Sequence, residues 1–325
     1  MSVTTEQDKK QSLGKRLKQC VVKPMPAAFK TIKWLLKITI PVSLLVFVLN
    51  YTGVLGYVSN FVAPFFELMG LPGESAFVLL TSVFTNIYSV IAVITTLGME
   101  TRDATILAVM CLISHGFIIE TAVLKKTGSS AVRMLLVRIL STLVAGYVLN
   151  LIMPSMAGFV SGSSSIGKDV TFLGQFTEWG IDIALLSVKI TVLVVLLMIL
   201  QQILVEFGIT KILARVLRPL LIIMGLPEGV SFSWIVANTL GLAYGSAVMI
   251  DQVENGHMTK YDADKLNHHI AVSHSQLEDP LLFVAIGLPF WWLVIPRVVL
   301  AIIVVWIRNI ETLMYRRLYN EKNNS

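Results

Sequence analysis

Charge, cysteine and nucleotide-binding motifs are all scarce in this chain. Asp, Glu, Lys and Arg make up 14 % of the residues against 55 % hydrophobic residues, and the mean hydropathy is +0.76, far from the composition of a soluble domain. Cys20 and Cys111 are too few for a disulfide framework and form no CxxC motif. No Walker A sequence or dinucleotide glycine loop is present. These absences exclude a soluble or nucleotide-hydrolysing protein and favour a polytopic membrane protein.

The basic residues flank apolar segments instead of clustering on a soluble domain. The net charge of +6 therefore predicts orientation in a membrane and no binding to nucleic acid. Composition divides the chain into five parts. They are a basic cytoplasmic N-terminal region (1–33), a first unit (34–153), a Gly/Ser-rich periplasmic linker (154–179), a second unit (180–310) and a basic cytoplasmic tail (311–325).

The two units are copies of one pattern. Met69-Gly70-Leu71-Pro72 returns 155 positions later as Met224-Gly225-Leu226-Pro227. Further along, a set of polar residues returns after 159 positions. The pairs are Ser114 and Ser273, His115 and His274, Glu120 and Asp279, and Arg138 and Arg297. Such self-similarity indicates an internal repeat.

Each unit contains five apolar segments. They cover 34–51, 54–70, 75–97, 104–124 and 131–153, then 180–206, 209–224, 229–250, 268–287 and 290–310. The segments 54–70 and 209–224 are short, about 25 Å at 1.5 Å per residue, so they either cross barely or turn back. Ten crossings leave only Arg102 and Lys168 on the outer side, as the positive-inside rule prefers. Because five is odd, we expect two inverted repeats of an all-α membrane protein, with both termini cytoplasmic.

The Gly-Leu-Pro turns are predicted helix breaks. Gly70 and Gly225 supply a positive φ, and Pro72 and Pro227 cannot continue the preceding short helix. A break at membrane depth would leave free backbone groups that a ligand could bind. The alternative interpretation is a tight loop at the membrane surface.

Ionisable and amide residues inside the apolar segments form the predicted binding site. Intramembrane ionisable residues are costly and usually line an interior path. The candidates for binding a solute or ion are Asn86, Tyr88, His115, Glu120, Asn238, Tyr244, His274, Gln276, Glu278 and Asp279. The alternative for the amides and hydroxyls is hydrogen bonding between packed helices. Arg138 and Arg297 are predicted charge partners of Glu120 and Asp279.

Catalysis and metal binding are not expected. Ser114 and His115 are adjacent, and neighbouring residues of a helix point about 100° apart, so they cannot form a dyad. The group His268, His269, His274 and Asp279 lacks the i, i+4 histidine spacing of helical zinc sites. We therefore predict no enzymatic activity, no metal and no cofactor.

The residues that repeat resemble those of a known family. The turn Gly70-Leu71-Pro72 with the polar helix through Asn86, and Ser114-His115 through Glu120 with their second copies, are similar to the nucleoside-recognition, or Gate-domain, membrane proteins. That family includes YjiH-like proteins and spore maturation proteins A and B, and gate regions of ferrous-iron and concentrative nucleoside transporters look related. The resemblance implies two Gate units, at about 70–125 and 225–287, in a transport gate, and fixes no substrate.

Together these observations predict a secondary transporter of the bacterial inner membrane. Alternating access of the inverted repeats would move a small polar or charged solute, such as an amino acid, peptide or nucleoside. The expected partners are the bilayer, the solute and protons, with a second copy or a second Gate-domain protein as further candidates. The alternative function is a non-transporting membrane scaffold that binds a partner protein.

Overall fold

A computed structural model describes residues 13–160 and 171–323. Parts of three predicted regions, the basic N-terminal region, the linker and the basic tail, lie outside the described residues. Apart from one isolated bridge between Glu100 and Phe159, the regular structure of the described residues is helical. The predicted class, an all-α polytopic membrane protein, is confirmed.

The first unit folds into seven helices after a short N-terminal helix, α1 (Leu13–Val22). Their bounds are α2 (Met25–Tyr51), α3 (Val54–Glu67), α4 (Ser75–Phe84), α5 (Ile87–Leu97), α6 (Thr101–Ser114), α7 (Phe117–Lys126) and α8 (Ala131–Ile152). Two of the predicted segments, 75–97 and 104–124, are each divided into two helices. Helix α2 begins inside the stretch that was expected to be an extramembrane N-terminal region.

The second unit repeats this order with more interruptions. Its helices are α9 (Phe172–Glu206), α10 (Ile209–Val216), α11 (Arg218–Ile223), α12 (Ser231–Thr239), α13 (Leu242–Glu254), α14 (Lys260–Ile270), α15 (Glu278–Val284) and α16 (Phe290–Asn323), with a 3₁₀ turn at Glu228–Val230 before α12. Helix α9 begins at Phe172, inside the predicted linker. The predicted segments 229–250 and 268–287 are both divided.

Among the described residues, length and apolarity single out four stretches as candidate membrane spans. They are Leu13–Tyr51, Ala131–Ile152, Phe172–Glu206 and Phe290–Tyr315. A fifth is obtained if α6 and α7, bent by 42° at their junction, form one broken span. The ten crossings stay a prediction, because the remaining segments consist of helices too short to cross a bilayer alone.

Helix α6 lies at the centre of the molecule. Every residue from Ala104 to Ser114 is buried, and α6 packs against α4, α8, α15 and α16. Helix α15 also contacts α5, and α7 contacts α13, so the two units interlock. The end of α6, where His115 follows Ser114, is therefore enclosed by helices from both units.

Candidate functional site

Four broken helices form the centre of the candidate site. The breaks lie at Thr85-Asn86, His115-Gly116, Leu240-Gly241 and between Ile270 and Glu278. The prediction of four continuous segments is wrong. The Asn86 side chain caps α5 by accepting from the Ser89 amide at 3.1 Å, and Gly116 adopts φ +55°, which suits glycine.

The breaks of the two units make equivalent backbone contacts. The Gly116 amide donates to the Ser82 carbonyl at 2.9 Å, and the Ser275 amide donates to the Ala237 carbonyl at 3.1 Å. Ser275 has φ +48° and is the only non-glycine residue with positive φ among the described residues. The break after α14 thus copies the conformation of the break after α6 without the glycine.

Two buried arginines cap the broken ends. Arg138 Nε donates to the Ile113 carbonyl at 2.8 Å, and its Nη2 donates to the His115 carbonyl. Arg297 repeats this with the carbonyls of Val272, at 3.3 Å, and His274, at 2.8 Å. Both side chains are fully buried. The last carbonyls of a helix have no partner within it, so these arginines satisfy groups that would otherwise be unpaired inside the protein.

The two histidines and two acids meet between the units. His115 Nε2 lies 2.9 Å from Glu120 Oε1 and 3.8 Å from Asp279 Oδ2. His274 Nε2 lies 3.2 Å from the same Glu120 oxygen, and the two imidazole ring centres are 5.2 Å apart. Each acid therefore faces the histidine of the other unit. We refer to His115, Glu120, His274 and Asp279 as the central cluster.

The other nitrogen of each imidazole has a fixed partner. His115 Nδ1 lies 3.1 Å from the Cys111 carbonyl, and His274 Nδ1 lies 2.7 Å from the Ile270 carbonyl. A carbonyl only accepts, so Nδ1 carries the hydrogen in both rings and Nε2 presents a lone pair when the ring is neutral. The cluster therefore brings together two imidazole lone pairs and two carboxylates.

Only one of the two predicted acid–arginine pairs is present. Glu120 Oε2 lies 2.7 Å from Arg138 Nη2, as expected. Asp279 and Arg297 form no ion pair, and the Nε and Nη2 atoms of Arg297 donate to carbonyls instead. That pairing prediction is wrong, and Asp279 Oδ2 has no hydrogen-bond partner within the described part of the chain.

Glu278 and Tyr88 form a second polar group beside the central cluster. The Tyr88 hydroxyl lies 3.5 Å from Glu278 Oε1, and Gln201 Nε2 donates to Glu278 Oε2 at 3.1 Å. Gln201 was missed by the sequence analysis, although it stands in the apolar helix α9. An amide in such a helix was the signal that could have identified it.

Three other predicted residues form hydrogen bonds within their own segments, and a fourth, Tyr244, is exposed. Asn86 caps α5, Asn238 donates to the Trp234 carbonyl of its own helix at 2.9 Å, and Gln276 donates to the Ser273 hydroxyl. Tyr244 is 57 % exposed. Asn238 Oδ1 and Gln276 Oε1 are buried without a hydrogen-bond partner among the described residues, so a role of these two amides in binding stays a prediction.

The Gly-Leu-Pro turns do not offer free amides. Gly70 and Gly225 have positive φ, as predicted. The Leu71 amide bonds to the Phe66 carbonyl, and the Leu226 amide bonds to the Leu221 carbonyl, at 3.0 and 2.9 Å. The amides of both glycines are bonded as well. The predicted free groups at Pro72 and Pro227 are thus replaced by a closed helix end.

Corresponding asparagines pack against these turns. Asn309 Nδ2 donates to the Gly225 carbonyl at 2.9 Å, and a Cβ on Gly70 would collide with Asn150. Asn309 follows Asn150 by 159 positions, so both units use the same helix to fix the turn. The turns are structural elements of the fold.

A polar network away from the central cluster also joins the two units. Asp264 accepts from Ser129 at 2.5 Å and from Arg308 at 2.9 Å, and Thr127 donates to Asn267 at 2.9 Å. The sequence analysis missed this network. Its signal was the polar composition of α14, an exception in a chain of apolar helices.

Comparisons with known proteins identify a family for this chain. A family model described as Gate, nucleoside recognition, matches residues 32–160, which include the break at His115. The chain is 32 % identical over 292 residues to the uncharacterized membrane protein YvoD of Bacillus subtilis (strain 168), an alignment covering 88 % of this chain and 93 % of that protein. No solved structure matches the chain.

Proposed function

Because the chain belongs to the family of membrane proteins with a nucleoside-recognition Gate domain, we propose that it is a secondary transporter. Its two units would move against each other and expose the central cluster to either side of the membrane in turn. The solute would be small and polar or charged. The observation that carries this proposal is the meeting of four broken helices around ionisable residues contributed by both units.

Two physical arguments support transport. Non-helical backbone at membrane depth is tolerated where it is buried or lines a cavity, and discontinuous helices surround the substrate sites of many transporters. Buried ionisable residues are also costly when they serve packing alone. The cluster has both properties, and its ligands would separate if one unit moved relative to the other.

The experiment uses cysteines next to the two histidines. Ser114 and Ser273 are both buried, so a cysteine at either position reacts with a small impermeant thiol reagent only when the site opens. The background chain carries Cys20→Ser and Cys111→Ser, and the protein is reconstituted in liposomes. We expect both cysteines to react with reagent applied from either side. Reaction from one side alone, or from neither, would contradict alternating access and favour the static scaffold.

We propose an orientation in the bacterial inner membrane with both termini in the cytoplasm, supported by the distribution of basic residues. Ser130 and Ser155 are exposed at opposite ends of α8. In the same cysteine-free background, an impermeant reagent applied to spheroplasts should label Ser155→Cys and leave Ser130→Cys unlabelled. The reverse pattern would overturn the orientation.

A further inference from the structure

The geometry of the central cluster points to a divalent first-row transition-metal ion as its ligand. We propose that such an ion binds between the Nε2 atoms of His115 and His274 and the carboxylates of Glu120 and Asp279. Binding is inferred from these residues alone. That the ion is also the cargo rests on the proposed function.

The spacing of the donor atoms fits one ion. Donor atoms of His115, His274 and Asp279 all lie within 4.8 Å of one another. Within this group, His115 Nε2 lies 3.8 Å from Asp279 Oδ2. Glu120 Oε1 lies 2.9 Å from His115 Nε2 and 3.2 Å from His274 Nε2. Four ligands at about 2.0–2.1 Å around a tetrahedral ion are about 3.3 Å apart. The observed separations lie on both sides of this value, so small side-chain movements would form the coordination shell.

The hydrogen bonds around the cluster are those of metal-binding histidines. Histidine ligands commonly donate their second nitrogen to a backbone carbonyl, which fixes the ring and directs the lone pair to the metal. His115 and His274 both do this through Nδ1. Among the described residues, His274 Nε2 and Asp279 Oδ2 are buried without hydrogen-bond partners. Both atoms could therefore bind an ion without breaking a hydrogen bond.

The neighbouring charges select the kind of ion. Arg138 pairs with Glu120, so this carboxylate adds little net attraction for a cation. The two imidazole nitrogens of the cluster, on His115 and His274, therefore decide which ion it prefers. Imidazole suits zinc, iron, nickel and copper, whereas calcium and magnesium prefer oxygen ligands.

The earlier prediction of no metal considered histidines on one helix. The spacing rule for histidines on one helix does not apply to the central cluster, because its ligands come from two units. Glu120 and His115 belong to the first, and His274 and Asp279 to the second. Movement between the units would remove half of the ligands at once, which provides a route for releasing a tightly bound ion.

The test uses Co²⁺ as a spectroscopic probe on purified full-length protein. We expect one Co²⁺ per chain with the intense visible absorption of a tetrahedral site, displaced by Zn²⁺ and unaffected by excess Mg²⁺ or Ca²⁺. His115→Gln, His274→Gln and Asp279→Asn should each weaken binding by more than the 10- to 100-fold typical of outer-shell residues. The control His257→Gln changes an exposed histidine and should bind as the wild type does.

Two results would overturn the proposal. One is the absence of stoichiometric Co²⁺ or Zn²⁺ binding to wild-type protein, a measurement that does not depend on how any variant folds. The other is unchanged affinity in folded His115→Gln and His274→Gln proteins. The thiol labelling of Ser114→Cys and Ser273→Cys reports on alternating access separately. Metal binding without access from both sides would support the site and reject transport, and access without metal binding would do the opposite.

Discussion

The breaks after α6 and after α14 have a similar backbone conformation but differ in their side-chain contacts. Each contains a histidine, His115 directly after α6 and His274 four residues after α14. Both are capped by an arginine from the last long helix of the unit, and both use a left-handed residue. Glu120 is ion-paired with Arg138, whereas Asp279 has no such partner. The two units thus share the helix break, while the acid of the first unit is paired with an arginine and that of the second unit is not.

The largest expected effect is a difference in stability between variants of the two capping arginines. Arg138→Gln leaves Glu120 as a buried charge without its partner, which typically costs about 3–5 kcal/mol. Arg297→Gln removes hydrogen bonds from a charged donor to carbonyls, worth about 1.5–3 kcal/mol. We expect unfolding in mixed micelles to show a clearly larger loss for Arg138→Gln. Equal losses would mean that both arginines act only as caps.

Double-mutant cycles sharpen the same comparison. Glu120→Gln combined with Arg138→Gln should show a coupling energy of about 0.5–3 kcal/mol, because the two groups are in contact. Asp279→Asn combined with Arg297→Gln should be additive within about 0.5 kcal/mol. The measurement is the free energy of unfolding of each single and double variant. A coupling energy of comparable size in the second cycle would mean that Asp279 and Arg297 do form an ion pair, contrary to the structure.

The smallest effect concerns the left-handed residue. Gly116→Ser should destabilise the protein by about 1–2 kcal/mol, since a residue with a Cβ is strained at positive φ, although the added atom would meet only ordinary contacts. Ser275→Gly should change stability by less than about 1 kcal/mol, because relief of strain is offset by the greater freedom of glycine in the unfolded chain. A large loss in Ser275→Gly would indicate a role for the serine side chain.

Local residues explain why some predictions succeeded. The segment order and the positive φ of Gly70 and Gly225 follow from short-range preferences that a sequence displays. The break at His115 did not stand out, because Ile113 and Phe117 continue the apolar run on both sides of it. One glycine in such a run is compatible with a continuous helix.

Long-range geometry accounts for the rest. The contact of Glu120 with His274, and of His115 with Asp279, joins residues more than 150 positions apart. No local spacing encodes it, so the search for metal ligands within one helix missed it.

The arginine caps also impose an order on assembly during synthesis. Arg138 is made 23 residues after the His115 carbonyl that it caps, and Arg297 is made 23 residues after that of His274. As the chain leaves the ribosome, the carbonyls at each break have no arginine donor until the next long helix has been synthesised. The first unit can then neutralise Glu120 on its own, while Asp279 meets His115 only after the second unit has been inserted. In a ribosome-bound chain that ends before α16, we therefore expect the carbonyls of the first break to be bonded to Arg138. The carbonyls of the second break would still lack their arginine donor.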